Sequence, residues 1–188
     1  MSSLLRGVNL YLIGMMGVGK STVGDLLAKR LGYAFLDTDD LIVKLAGKSI
    51  NQLFVEEGEA AFRQLESDVL AQVCARKDLT IATGGGIVMR RENWSYLHHG
   101  LVVWLDAPLD LLYNRLAEDT TRPLLKDPDP KGKLRSLLEQ RQPLYAQADL
   151  HITLREGDTP EEIANRVMEA IPSVLKQPDS HHEGDRNN

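Results

Sequence analysis

The chain has 188 residues, of which 43% are hydrophobic and 5% aromatic, with 22 Lys and Arg against 27 Asp and Glu. This length fits one domain that needs no staples, and the hydrophobic share excludes global disorder. A net charge of −5 without a basic run argues against a nucleic-acid-binding module, the single Cys74 excludes an internal disulfide and a cysteine-built zinc site, and no apolar stretch reaches the ~20 residues that span a bilayer.

In chain order, residues 8–13 form a β-type run. It leads into Gly14-Met15-Met16-Gly17-Val18-Gly19-Lys20-Ser21, which fits G-x-x-x-x-G-K-[ST]. A helical pattern over residues 22–31 follows, with Val23, Leu27 and Leu31 on one face. Strand, glycine-rich loop and helix in this order make a phosphate cradle. Gly14 and Gly19 let the backbone curl close to phosphate oxygens. Inward N–H groups and the helix N-terminus favour an anion. Lys20 brings a positive charge to the β- and γ-phosphates, and Ser21 offers a hydroxyl to Mg²⁺. Residues 9–19 are apolar enough to mimic the core of a signal peptide, but the cradle explains them better. A cytoplasmic location is therefore expected.

Residues 34–37 form the second run, which ends in Asp37-Thr38-Asp39-Asp40. At a strand end beside the cradle, Asp37 can support Mg²⁺ and Asp39 can accept hydrogen bonds from substrate hydroxyls. The same residues also read as a helix cap with acids in the first turn. Phe62, Leu65, Val69 and Val73 then repeat at helical spacing. Arg63 on this pattern follows Glu59 by four residues, so a surface ion pair is its plain reading. Cys74, near the end of the pattern, is expected to be a small buried filler.

Residues 80–82 run into Thr83-Gly84-Gly85-Gly86-Ile87, which suits either backbone contact with a ligand or a tight turn. Residues 101–105 are almost wholly apolar, as a central parallel strand should be. Trp104 in this run is a core candidate, and Trp94 a packing residue. Residues 119–133 contain Pro123, Pro128, Pro130 and Gly132, too much proline for a helix interior. A loop of this length reads as a lid, a binding loop or disorder. Arg141 near a helix end reads by itself as a solvated side chain. After a last β-type run over residues 151–154, the polar stretch 176–188 reads as a disordered tail. The alternation of runs and helical patterns predicts an α/β fold, a parallel sheet flanked by helices, in one domain over residues 1–175.

A phosphate cradle serves kinases, GTPases and motors alike. No Asn-Lys-x-Asp guanine motif is present, and the chain is small for a motor, which leaves a small-molecule kinase. Read in order, Gly-x4-Gly-Lys-Ser, Asp-Thr-Asp, Phe-Arg-x-x-Glu, Gly-Gly-Gly, Arg-Pro-Leu-Leu and Arg-x-Pro-Leu-Tyr together resemble the shikimate kinase family. The resemblance runs from about Asn9 to Tyr145, and only the first of these motifs is specific by itself.

The resemblance implies a three-layer P-loop kinase fold with a five-stranded parallel sheet. It implies transfer of the ATP γ-phosphoryl group to the 3-hydroxyl of shikimate, with Mg²⁺ as cofactor. It implies ATP binding by Gly17, Val18, Gly19, Lys20, Ser21 and Thr22, with Arg115 bordering the adenine and Arg122, in a lid over residues 119–133, reaching the phosphates. Asp39 would bind the acceptor hydroxyls, Arg63 and Arg141 its carboxylate, and Gly84, Gly85 and Gly86 would line it. Ser21 and Asp37 would serve the metal, and Lys20, Asp39 and Arg122 catalysis. Phe54 and Phe62 would touch the ring. A monomer with no nucleic-acid or membrane partner is expected. A kinase for another hydroxy acid, such as gluconate, is the rival enzyme. A non-catalytic binding module would be expected to lack Lys20, an Asp or a substrate Arg, and none is missing.

Overall fold

All five β-type runs become strands of one parallel sheet: β1 (Leu10–Ile13), β2 (Ala34–Asp37), β3 (Leu79–Ala82), β4 (Leu101–Asp106) and β5 (Leu150–Thr153). Their order across the sheet is β2-β3-β1-β4-β5. This computed structural model describes residues 4–118 and 126–175. Leu10 of β1 stands level with Thr80 of β3 and with Leu101 of β4. All of β1 and β3 is buried, and so is β4 up to its last residue. Such strands are covered on both faces, which is why they read as apolar runs rather than alternating ones. β2 and β5 close the two edges and are partly exposed.

The helices are α1 (Lys20–Leu31), α2 (Thr38–Ala46), α3 (Ile50–Glu57), α4 (Glu59–Cys74), α5 (Arg91–Leu97), α6 (Leu109–Ala117), α7 (Pro130–Tyr145) and α8 (Pro160–Ala170). α1 packs on β3 and α8, while α4 packs on α2, α3 and α5. Local chemistry sets several of the ends. Gly32 ends α1 in the left-handed conformation, after Lys29 and Arg30 in the last turn. Capping boxes start α3 at Ser49 and Gln52, and α8 at Thr159 and Glu162.

The proline-rich stretch read as a loop to residue 133 gives way to helix earlier, at Pro130. Proline is tolerated there because the first helical N–H has no intrahelical partner, and the Asp129 side chain accepts from Gly132 N at 3.0 Å. Trp104 and Trp94 are both buried, the latter with its Nε1–H donated to the Val88 carbonyl at 3.1 Å. Cys74 is only half-buried, its thiol set against the Ala71 carbonyl, so it fills less of the core than expected. Among the described residues, no helix is long and apolar enough to cross a membrane.

The chain leaves β1 towards β2 on one side, while β4 flanks β1 on the other. In an open parallel sheet, the crevice at the carboxyl ends of strands at such a switch is where ligands bind. The loops after β1, β2 and β3 all open there.

Candidate active site

The loop after β1 curls through Gly14, Gly17 and Gly19, at φ of 145°, 80° and 99°. A Cβ on Gly14 would collide with the Leu105 carbonyl oxygen of β4. Lys20 folds back over this loop and is only 8% exposed. Its Nζ donates to the Gly14 carbonyl at 2.7 Å and the Met15 carbonyl at 3.0 Å. The ammonium is thus held at the mouth of the cradle. Ser21 and Thr22 sit exposed on the first turn of α1, and Val18 is buried. Arg115 braces the cradle from α6: its Nη1 donates to the Val18 carbonyl at 3.0 Å.

Asp37 caps α2, one of the two roles that its sequence left open, and it also faces the cradle. Its Oδ1 accepts from the backbone of Asp39 at 2.9 Å and Asp40 at 3.3 Å, capping α2. Its Oδ2 accepts from Ser21 Oγ. A carboxylate and a hydroxyl, both hard oxygen donors, therefore meet at the edge of the cradle. Next to the cap, Thr38 is buried and its Oγ1 accepts from Gly84 N at 3.1 Å, tying α2 to the glycine loop after β3.

That glycine loop organises four charged side chains. A Cβ on Gly84 would lie 2.6 Å from Glu66 Oε1 and 2.9 Å from Asp39 Oδ1. One on Gly85 would lie 3.2 Å from Arg141 Nη1, and one on Gly86 would lie 2.5 Å from Arg63 Cζ. The glycines make room for the chain's own carboxylates and guanidiniums, a need additional to the ligand contact or turn read from sequence. Packing of side chains from α2, α4 and α7 around one backbone loop cannot be read from the loop alone.

Arg63 departs from its plain reading. Its bond to Glu59 is long, 3.6 Å, and Glu59 is 69% exposed. The closer partner is Glu66, at 2.9 Å and 1% exposure, with Arg63 itself 15% exposed. An exposed pair of the first kind contributes little, whereas the second fixes the guanidinium in place. Arg63 also lies over the Phe62 ring, 5.3 Å from its centroid, and Phe62 packs against Phe54 at 4.7 Å. Arg141 likewise leaves the solvent expected for it and is 7% exposed. Among the described residues, none accepts a hydrogen bond from its Nε, and no carboxylate forms an ion pair with it. Its neighbours are the Tyr145 hydroxyl and, at longer range, the Glu66 carboxylate. Arg122 lies outside the described residues.

Sequence reasoning left Glu66 out of the site. Its signal was the i,i+3 spacing from Arg63 in Phe-Arg-x-x-Glu, which competes with Glu59 at i−4. Burial pushes the Glu66 carboxyl above its ordinary 4.5; Arg63 opposes this shift and Asp39 adds to it. The folded chain therefore holds this proton more tightly than the unfolded one. The contribution of Glu66 to stability is fully present below 4.5 and is lost as pH rises through the raised folded value. Glu66→Gln is expected to flatten that fall, as measured by urea unfolding across a pH series; an unchanged slope would show that Glu66 does not set it.

Comparison with known proteins places these features. The sequence model of the shikimate kinase family matches residues 16–172. A shikimate kinase of Nostoc punctiforme is 76% identical over 181 residues, covering 96% of this chain and 100% of that protein. The solved shikimate kinase of Acinetobacter baumannii in complex with shikimate superposes with a TM-score of 0.84 at 39% identity, covering 92% of this chain and 97% of that one. A gluconokinase from Sinorhizobium meliloti, at 14% identity and a TM-score of 0.54, covers 89% of this chain and 93% of its own and shares the fold alone. With the cradle, the Asp37–Ser21 pair and the glycine loop inside a match that spans most of its length, the chain belongs to the shikimate kinase family.

Proposed function

We propose that this chain transfers the γ-phosphoryl group of ATP to the 3-hydroxyl of shikimate, giving shikimate 3-phosphate and ADP, a step of chorismate and aromatic amino-acid biosynthesis. The observation that carries this reading is the set of charges around the glycine loop. Arg63 and Arg141 converge on Gly86 and Gly85, and Asp39 on Gly84, beside the phosphate cradle. Shikimate has one carboxylate and three hydroxyls. Two guanidiniums suit the carboxylate, and an ionised carboxylate suits the hydroxyls.

Placement supports the following roles for the described residues. Gly17, Val18, Gly19, Lys20, Ser21 and Thr22 bind the ATP phosphates through backbone N–H groups, the Lys20 ammonium and the helix N-terminus. Arg115 holds the back of the cradle and borders the nucleoside. Arg122 is assigned to the phosphates from sequence. Arg63 and Arg141 fix the acceptor carboxylate, Gly84, Gly85 and Gly86 line the acceptor, and Asp39 orients the attacking hydroxyl towards the γ-phosphorus. Positioning of this kind accounts for most of phosphoryl-transfer catalysis.

Mg²⁺ is the cofactor we infer, and the Ser21 hydroxyl with the Asp37 carboxylate would hold it. Among the described residues, no group of three or more His, Cys, Asp and Glu could hold a metal, so phosphate and water would complete the ligand set. Bound there, Mg²⁺ offsets negative charge on the β- and γ-phosphates. A monomer in the cytoplasm, where ATP is supplied, completes the reading.

The test is ADP release with ATP, Mg²⁺ and, in turn, shikimate, quinate, gluconate and AMP. Release that depends on shikimate is expected. Release with another acceptor alone would overturn the substrate assignment, and no release by folded, ATP-binding protein would overturn the kinase assignment. Gly86→Ala gives a local check. The new Cβ must displace Arg63, so the KM for shikimate is expected to rise about tenfold or more while the KM for ATP changes little. An unchanged shikimate KM would count against Arg63 as a carboxylate ligand.

A further inference from the structure

Tyr145 is the last residue of α7, one turn after Arg141, and it is completely buried. Its hydroxyl donates to the Gly85 carbonyl at 2.6 Å and lies 3.6 Å from Met15 Sδ. Its ring faces Trp104 of β4, with centroids 5.9 Å apart and planes 28° from parallel. Trp104 is itself stacked on His151 at 4.0 Å, and His151 Nε2 lies 2.8 Å from Asp106 Oδ2. The phenol therefore has little room to move. Burial pushes its pKa up to about 12, so it stays a donor at any working pH.

Gly85 is where the two halves of the site meet. A Cβ there would lie 3.2 Å from Arg141 Nη1, 3.4 Å from Met16 N and 3.5 Å from the Gly14 carbonyl oxygen. Gly14 and Met16 belong to the phosphate cradle, and Arg141 belongs to the acceptor pocket. α7 thus reaches Gly85 twice: Arg141 packs against its Cα, and Tyr145 holds its carbonyl. Gly85 therefore touches both halves of the site, and the Tyr145 hydroxyl, which also interacts with Arg141, holds its carbonyl.

We infer that Tyr145 is a positioning residue that couples acceptor binding to nucleotide binding, by holding Gly85 between Arg141 and the phosphate cradle. The inference rests on the reaction proposed above. Coupling of this kind is a ratio of affinities, equal in both directions. Tyr145→Phe keeps the ring and removes only the hydroxyl.

The experiment measures the shikimate Kd of the full chain by calorimetry, with and without ADP and Mg²⁺. The wild-type chain is expected to bind shikimate about fivefold or more tighter with nucleotide present. Tyr145→Phe is expected to bring that ratio near one and to raise the KM for shikimate about tenfold, with the KM for ATP nearly unchanged. 4-Aminophenylalanine at position 145 keeps an N–H donor for Gly85 and is expected to restore the ratio. A folded Tyr145→Phe chain with the wild-type ratio overturns the inference, even if its Tm falls, because packing alone would do that. A wild-type ratio of one also overturns it. If Tyr145→Phe does not fold, the aminophenylalanine chain decides: a kept ratio supports the inference and a lost one overturns it. Failure of the wild-type chain to bind shikimate at all would overturn the proposed function, and this inference with it.

Discussion

Asp39→Asn is expected to lower turnover with shikimate about a hundredfold or more, while ATP binding stays near normal. Asp39 lies in the first turn of α2, its backbone N–H bonded to the capping Asp37. Its side chain and that of Glu66 both crowd the place that a Cβ on Gly84 would take. The substitution keeps the shape and removes the charge. Carboxylates are weak bases in water, and in a loose transition state the proton leaves late. Most of the loss is therefore expected from orientation of the hydroxyl rather than from basicity. Steady-state kinetics with a separate shikimate titration would divide the two: lower turnover with retained shikimate affinity assigns Asp39 to the reacting hydroxyl. Near-normal turnover would remove it from both roles.

Arg141→Met and Arg63→Met are expected to impair acceptor binding alike, each raising the KM for shikimate about a hundredfold, yet to move stability in opposite ways. Arg141 is a cation with little exposure and, among the described residues, no ion-paired carboxylate. Replacing it with an apolar side chain of similar length relieves a desolvated charge, so stability is expected to hold within about 1 kcal/mol or to rise. Arg63 is different, because Glu66 at 1% exposure depends on it. Its removal strands a buried carboxylate, at a cost of about 2 kcal/mol or more above the pH where Glu66 ionises. Lower pH should return part of that loss, since a protonated Glu66 no longer needs a partner. Urea unfolding at two pH values with shikimate titrations checks all of this. Equal stability losses in the two variants would show that Glu66 does not depend on Arg63.

The parts of the site legible in the sequence are those built by neighbours along the chain. The cradle from Gly14 to Ser21 is one continuous loop, and its chemistry is backbone N–H groups, a lysine and a hydroxyl in fixed succession. The central strands β1, β3 and β4 were legible because such strands are buried on both faces and read as apolar runs. Asp37 was legible as a cap because that role follows from its place at a strand end, just before a helix.

Other features were decided only by tertiary structure. The β2-β3-β1-β4-β5 order depends on crossovers that leave no local mark. Arg63 had Glu59 and Glu66 at equally suitable helical spacings; burial of the inner face of α4 chose Glu66. Arg141 read as a surface side chain until α7 laid it against Gly85. Pro130 read as loop because its place at a first helical position depends on where α7 begins. The three glycines looked like a turn or a ligand contact, and their further reason is the crowding of side chains from α2, α4 and α7. Sequence by itself determined which groups carry charge and which loop can cradle phosphate, because those depend on residue type and local spacing. Which charges meet, and which of them are removed from water, is settled only when distant elements pack, since burial and proximity are properties of the assembled layers.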